Sequence, residues 1–467
     1  MKSENKKVLS RKKEFFLVVL LILVTFFSRI FFVPESGFVS DRGIYLSWAS
    51  KSMNSSFGET YTKTGSDNMP LILLMQREAL RIHSRTDFGL SAFDFLKLPN
   101  IILDILSAVT IFYIVKRMSP RHAFLASLIY AVNPAIIFVT AYWGQADTIL
   151  FALLSIAFIS FPEIAMIFIT TSAFYKLQSI IFLPIIIFFI IRKFSGKRVA
   201  SSLLASAITA LAIILPFALS DNASDITHVA FSSVGAYPYI TLNAYNLWKI
   251  VDCAAGKCAD IWWNSISDKT RIFSFFTLKS LSLVLFAAAY IFALFYIRIK
   301  TKKEGRGFFA EKNERISKGE INALVLSLSF VALSFFMLST EMHERYLFYA
   351  IPLLAAGYFM LREIRQIYWV VSATFLINCM KSLAAAYQNN RLERFISSHI
   401  NTIYLLPFAF SIINLIALAV LFSIMLKDER EALRKTKTER KSKVNLLKTI
   451  SAYLRSVRRL RKETRKN

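Results

Sequence analysis

Between two greasy segments, the stretch LSTEMHERYLFYAIPLL (Leu338–Leu354) sets Glu341, His343, Glu344 and Arg345 within five residues. A guanidinium at a helix start suits an anion, because the open backbone N–H groups and the arginine both attract negative charge. His343 adds a proton donor. These residues do not spell a zinc site: in HERYL the position four after His343 is Leu347, not a second histidine, so no metal ligands are assigned. The competing reading is a membrane-edge Glu–Arg pair, which contributes little.

Other polar side chains stand in similarly apolar surroundings. FVSDRGIYLSWASKSM carries Asp41, either a helix cap or a general base. NPAIIFVTAYWGQADTIL places Tyr142, Trp143, Gln145 and Asp147 at a junction of two apolar runs, where the rings can be belt residues and Asp147 a dipole partner. Lys176 and Gln178 lie between two short apolar segments, and a lysine there must snorkel or meet an anion. GAYPYITLNAYNLWKI offers Tyr237, Tyr239, Asn243, Tyr245 and Asn246, rings to stack on sugar faces and amides to bond hydroxyls, or else an ordinary anchored loop. One carboxylate, two or three cations and an aromatic polar loop add up to a chemistry. The acid deprotonates an acceptor hydroxyl, and the cations stabilise charge building on a phosphate leaving group.

The elements that must position these groups are membrane helices. The chain has 467 residues, 55% of them hydrophobic and 43 of them Phe, with mean hydropathy +0.49. Apolar runs such as FFLVVLLILVTFFSRIFFV are long enough to cross a bilayer core of about 30 Å as a helix. That run follows a basic start but is too long for a signal-peptide h-region, so a retained first helix is expected. Hydropathy predicts an all-α polytopic bundle of about twelve spans: 15–34, 98–116, 122–140, 146–161, 163–175, 177–192, 199–219, 274–298, 320–339, 346–362, 367–387 and 401–426. Spans 163–175 and 177–192 are short and suggest broken or re-entrant helices around a cavity.

With the N-terminus (1–14) in the cytoplasm, the Lys- and Arg-rich connections KRMSPRH, RKFSGKR, RIKTKKEGRGFFAEKNERISKG and REIRQ all fall on the cytoplasmic side. The opposite face receives a first loop, 35–97, a long loop, 220–273, and every polar cluster named above. Within the first loop, 69–83 and the stretch around Ile44, Leu46, Trp48, Ala49 and Met53 are expected as interfacial helices over a cavity. This predicts a multi-pass protein with both termini cytoplasmic and its site external, in the plasma membrane of a prokaryote or, in a eukaryote, with the site in the lumen of the endoplasmic reticulum. No fixed-period repeat is visible, which weakens a transporter reading.

The net charge of +27 is concentrated beside the apolar runs: the tail 427–467 holds 16 Lys and Arg against 5 Asp and Glu. Leu447, Ile450, Leu454, Val457 and Leu460 recur there at helical spacing, predicting a basic amphipathic helix on anionic lipid. No aromatic stacking pattern accompanies the charge, so nucleic acid is not expected as a partner. Cys253 and Cys258 either form a small disulfide or stand as separate thiols.

Taken together, six stretches resemble the integral-membrane glycosyltransferases of the GT-C fold, in particular the bacterial and archaeal mannosyltransferase-like branch. They are SDRGIYLSWASKS with DNMPLILLM, FLKLPNIILDILSAVTIFYIVKR, NPAIIFVTAYWGQADTILFALL, YKLQSIIFLP, YPYITLNAYNLW and MHERYLFYAIPLL, in that order between Asp41 and Leu361. The resemblance implies an inverting hexosyltransferase, with mannose the first candidate sugar, a polyprenyl-phosphate sugar as donor and a glycan, lipid or protein as acceptor. It implies that Asp41 activates the acceptor, that Arg345, His343 and Lys176 bind the lipid phosphate, and that Trp143, Gln145, Asp147, Gln178, Tyr237, Tyr239, Asn243, Tyr245, Asn246 and Glu344 shape the pocket. Arg42 follows Asp41 where many relatives carry a second acid, which favours transfer without a cofactor, a divalent cation being the lesser alternative. Asn68 and Met69 precede Pro70 where an aromatic residue is more usual, a departure that bears on specificity. The rival functions are a glycolipid flippase and a polymerase or ligase of lipid-linked glycans.

Overall fold

The computed structural model describes residues 10–34, 37–86, 89–219, 226, 229, 235–258, 262–301, 315–386, 394–395, 398–399, 405–432 and 434. The amphipathic tail helix expected over 447–460 and most of the basic loop after Thr301 lie outside these residues. The chain divides into two compact units, Met1–Leu421 and Phe422–Asn467. The first holds every site residue.

Among the described residues the protein is helical, and pairing between extended segments is limited to isolated bridges such as Tyr239–Ser267 and Asn243–His343. Among the described residues, six helices are long and apolar enough to cross a membrane: Ala92–Met118, Gly196–Ala218, Leu278–Lys300, Lys318–Leu338, Arg362–Ala384 and Leu406–Ala432. The pair Pro120–Ala131 and Pro134–Trp143, bent by 43°, is long and apolar enough to make a seventh if it is one broken span and not a re-entrant loop. The bend falls at Asn133–Pro134, where Pro cannot donate to the helix and Asn133 caps the next turn through Ala135 and Ile136 N–H.

Burial sorts these helices. Lys318–Leu338 is 83% buried over its apolar window and Gly196–Ala218 only 6%. A helix apolar all round and enclosed by protein is a core helix. One that leaves Leu204, Ile208 and Leu211 exposed needs an apolar solvent, which a bilayer supplies.

Of the remaining apolar stretches, Arg11–Ile30 and Pro162–Tyr175 are each one unbroken helix, the second against the expectation of a broken span, and the others are short or broken. Leu150–Ala157 reaches only about 12 Å at helical rise, well short of a bilayer core. Two others share a construction: a tight 3₁₀ turn leads into a short α-helix. They are Leu177–Phe182 into Leu183–Lys193, and Glu344–Ala350 into Ile351–Gly357. The 3₁₀ starts bring Gln178 and Tyr346 together, Gln178 Nε2 donating to the Tyr346 hydroxyl at 2.8 Å.

Helices Val39–Met53 and Pro70–His83 pack on each other in the first loop, burying Ala49 and Ala79 against Phe95 and Leu96. Each is shorter than a span. Pro70 stands at the first turn of its helix, as expected from its fixed φ. In the long loop, Leu247–Ala254 is closed by a disulfide between Cys253 and Cys258.

Candidate functional site

A cavity of about 880 Å³ gathers Asp41, Tyr45, Asp67, Trp143, Lys176, Gln178, Tyr237, Asn243, Tyr245, His343, Glu344, Arg345 and Tyr346 on its walls. That volume suits a ligand of drug or disaccharide size. The residues come from regions far apart in sequence, so the fold, not local spacing, brings them together.

The corner around Asp41 is built on neutral donors. Helix Val39–Met53 is capped by Phe38, with no side-chain cap bond, so Asp41 is not spent as a cap. Its Oδ2 accepts from Trp143 Nε1 at 2.9 Å and Gln145 Nε2 at 2.7 Å. The other side of the Gln145 amide, Oε1, accepts from the Tyr45 hydroxyl at 2.9 Å. Oδ1 of Asp41 is thereby left for a ligand. Burial pushes the Asp41 carboxyl above its ordinary range, while Arg345, the two donors and Lys176 pull it back down. A raised carboxyl that is still ionised is a stronger base than a surface one.

The chain around Trp143 is shaped for this bond. Phe138–Trp143 winds as a π-helical segment, a local irregularity that re-aims side chains. It ends at Gly144, whose φ of +83° suits glycine. A Cβ there would also stand 3.2 Å from two carbons of the buried Lys97 side chain. Beneath the segment, Asp104 accepts from Arg29 Nε at 2.7 Å, the Tyr130 hydroxyl at 2.8 Å and the Thr140 hydroxyl at 2.7 Å. Three helices and the π segment are thus tied at one buried carboxylate.

The opposite corner is built on charge. Asp147, fully buried, lies 3.2 Å from Lys176 Nζ and 3.7 Å from Arg345 Nε, and accepts from the Tyr349 hydroxyl at 3.2 Å. Arg345 also faces Glu344 at 3.6 Å, and His343 Nδ1 is 4.0 Å from Glu344. Arg345 Nε is buried without a hydrogen-bond partner, although its charge is balanced. Burial, with Arg345 and Lys176 nearby, holds His343 well below the usual imidazole range. It is therefore neutral at pH 7, a hydrogen-bonding group and not the third cation. Burial pushes the Glu344 carboxyl up to about 7, against the pull of Arg345.

The sequence-assigned residues separate into those on the wall and those behind it. Gln145 and Asp147 stand behind, fixing Asp41 and the cations respectively. Tyr239 is not on the wall; its backbone carbonyl accepts from Glu341 N–H at 3.1 Å. Asn246 is a correction to the pocket assignment. It is fully buried, caps Leu247–Ala254 through Trp248 and Lys249 N–H, and donates to the Phe336 carbonyl at 3.1 Å. Glu341 pairs with Lys279 and accepts from Gly235 N–H at 2.8 Å, so it belongs to the rim and not to Arg345.

Sequence reasoning missed Tyr45, Asp67, Lys249, Tyr346 and Lys381, all of which line the cavity. Asp67 sits directly before the Asn68–Met69–Pro70 run and was within reach of the motif reading. Lys381, inside the apolar run 367–387, carried the same signal as Lys176 and was passed over, while Lys249 in the long loop gave none. Among the described residues, no group of three or more His, Cys, Asp or Glu is arranged to hold a metal ion.

No protein-family model matches the chain, and no curated protein matches it significantly.

Proposed function

We propose that this membrane protein is an inverting glycosyltransferase of the GT-C type. In this reading it moves a hexose, with mannose the first candidate, from a polyprenyl-phosphate sugar to an acceptor hydroxyl. The observation that carries the reading is that an elevated carboxylate, Asp41, and the Arg345–Lys176 cation pair line one cavity. Asp41 Oδ1 takes the proton of the acceptor hydroxyl. The acceptor oxygen bonds to the anomeric carbon from the face opposite the phosphate, and the bond from that carbon to the phosphate oxygen breaks. The electron pair leaves with the lipid phosphate, which gains one negative charge. Arg345 and Lys176 meet that charge and His343 offers an N–H. Trp143, Gln178, Tyr237, Asn243 and Tyr245 border the sugar. The same reading has about twelve crossings, both termini cytoplasmic and the cavity on the external face of a prokaryotic plasma membrane, supported by the Lys- and Arg-rich connections. The basic tail meets anionic lipid on the inner side.

The test is Asp41→Asn in purified, folded protein given a radiolabelled polyprenyl-phosphate mannose and an acceptor extract. Transfer is expected to fall by about 10²–10⁴-fold, the usual contribution of a positioned base. Activity retained within a few-fold removes Asp41 as the base. Wild-type protein that translocates the labelled lipid yet forms no glycosidic bond is a flippase instead.

A further inference from the structure

A second ionic cluster stands at the cavity rim, and the transfer step does not use it. Lys279, in the first turn of helix Leu278–Lys300, lines the cavity beside Glu341 and serves two carboxylates. Its Nζ holds Glu341 Oε1 in a short contact and lies 3.6 Å from Asp268 Oδ2. Glu341 is fully used, because its Oε2 also accepts from Gly235 N–H at 2.8 Å. Asp268, by contrast, has a wholly buried side chain whose Oδ1 and Oδ2 both lack a hydrogen-bond partner. An ionised carboxylate in that position is strongly disfavoured. Both oxygens are closed off from solvent, and a proton is a partner that needs no added space. Protonated, Asp268 becomes a donor, with the Glu341 carboxylate as its neighbouring acceptor. Burial and that neighbour push the Asp268 carboxyl up to about 6, against the pull of Lys279. The loop 235–240 adds no charged side chain, Asp252 of the adjoining helix is bonded to Ile266 N–H at 3.1 Å, and Lys269 and Arg271 on Asp268's own turn are exposed.

The three side chains sit where separate parts of the rim are fastened together. Ile240 N–H donates to the Ile266 carbonyl at 2.9 Å and Asp268 N–H to the Pro238 carbonyl at 3.0 Å, which pairs loop 235–240 with the turn 266–271. Leu278 N–H donates to the Thr270 carbonyl at 3.0 Å and Lys279 N–H to the Asp268 carbonyl at 2.9 Å, which fastens that turn to the helix. Glu341 keeps a left-handed backbone, φ +61°, a conformation that a non-glycine residue holds where its surroundings impose it. Tyr237 and His343, on either side of this junction, meet edge to face on the cavity wall with ring centres 5.9 Å apart.

We propose that Asp268, Lys279 and Glu341 are a proton-operated latch on the cavity rim: protonated Asp268 ties the turn 266–271 to Glu341, and ionised Asp268 lets the rim loosen around Tyr237 and His343. The latch does not depend on the transferase reading. A carboxyl raised in the closed rim supports closure fully below the ordinary aspartate range and loses that support as pH rises to about 6. The rim is therefore tightest in an acidic medium and looser, at a constant level, from about pH 6 upward.

The experiment is hydrogen–deuterium exchange of the full chain in phosphatidylcholine nanodiscs between about pH 4 and about pH 8, corrected for intrinsic exchange rates and read at the Ile240, Leu278 and Glu341 amides. Opening there is expected to rise by up to about a hundredfold between about pH 4 and about pH 6, roughly tenfold per pH unit, and to stay level above. Asp268→Asn, which keeps the shape of the protonated acid, should abolish the rise and leave the rim closed throughout. Glu341→Gln should move the rise to lower pH, because it removes the carboxylate that raises Asp268, and Lys279→Gln should move it to higher pH. If Asp268→Asn does not fold, these two shifts decide. Opening that is independent of pH in wild type overturns the latch. So does a rise that survives Asp268→Asn, that neither neighbouring variant moves, or that appears equally at Phe194 N–H, beyond the far end of helix Leu183–Lys193. The expected pattern in protein that transfers no sugar would leave the latch standing while the transferase reading falls.

Discussion

Two corners of one cavity treat charge in opposite ways. Around Asp41 the protein supplies neutral donors, Trp143 and Gln145, and keeps cations at one remove. Around Arg345 it supplies a dense set of charges that nearly cancel, Asp147 and Glu344 against Arg345 and Lys176. The first arrangement preserves a lone carboxylate with its basicity raised by burial. The second keeps two cations affordable in a buried place without using up their hydrogen-bonding capacity. A buried cation with no counter-charge is strongly disfavoured, while one fully paired has nothing to offer a ligand. Arg345 sits between these limits, its Nε 3.7 Å from Asp147 and unbonded.

The largest way to break this contrast is at the charged corner. Arg345→Gln should lower kcat by about 10²–10³-fold, the cost of losing one electrostatic stabiliser of a leaving group. On the proposed reading the cation also meets the ground-state phosphate, so substrate KM should rise as well. Steady-state kinetics over a range of lipid-sugar concentration separate the two effects. A kcat within a factor of three of wild type would mean that the charged corner is structural.

Next comes the neutral corner. Gln145→Leu removes one of the two donors on Asp41 and strands the Tyr45 hydroxyl. The Gln145 bond lowers the Asp41 pKa, so its loss should raise it further. Activity lost by protonating the base disappears as pH falls, and the acid limb of the pH–rate profile should therefore move to higher pH. At the optimum, kcat should fall about tenfold from misorientation. An unmoved acid limb would detach that limb from Asp41.

How far the sequence showed this site follows from the same contrast. Asp41, Lys176, His343 and Arg345 were legible because a charged group in an apolar run demands an explanation wherever it lies. The helical class was legible for the reciprocal reason, since runs such as 318–338 admit no other backbone form in lipid. The number of crossings was not legible in the same way. Hydropathy cannot distinguish a straight helix from a 3₁₀ turn running into a short α-helix, as at 177–193 and 344–357. Residues that act from behind the wall were hidden as well. Asn246 and Asn243 look alike in sequence, yet one is a buried helix cap and the other faces the cavity. Only the path of the backbone decides which, and the left-handed φ of +65° at Asn243 is part of that path.

A smaller effect sharpens the charged corner. Glu344, pushed up to about 7 by burial, ionises within the physiological range. Above that pH its carboxylate competes with a ligand for Arg345; below it the neutral acid does not. Affinity for the donor phosphate should therefore rise several-fold between about pH 8 and pH 6, with a proton taken up on binding near neutrality. Stability follows the same group. Its folded pKa lies above the usual value, so its contribution is fully present below the ordinary glutamate range and is lost as pH rises through about 7. Glu344→Gln should flatten both trends, read by binding and by thermal unfolding across that window.

The smallest expected effect sets the site against its scaffold. Asn246→Ala removes a helix cap and strands the Phe336 carbonyl, at a cost of about 1–2 kcal/mol in stability. Because Asn246 faces away from the cavity, KM for both substrates should be unchanged. Asn243→Gly keeps a left-handed backbone available and deletes an amide from the wall. It should leave the melting temperature nearly unmoved and raise the KM of whichever substrate presents hydroxyls there. The pair tests whether this loop is divided, residue by residue, between holding the fold and lining the cavity. Equal changes in KM from both variants would show that it acts as a single unit.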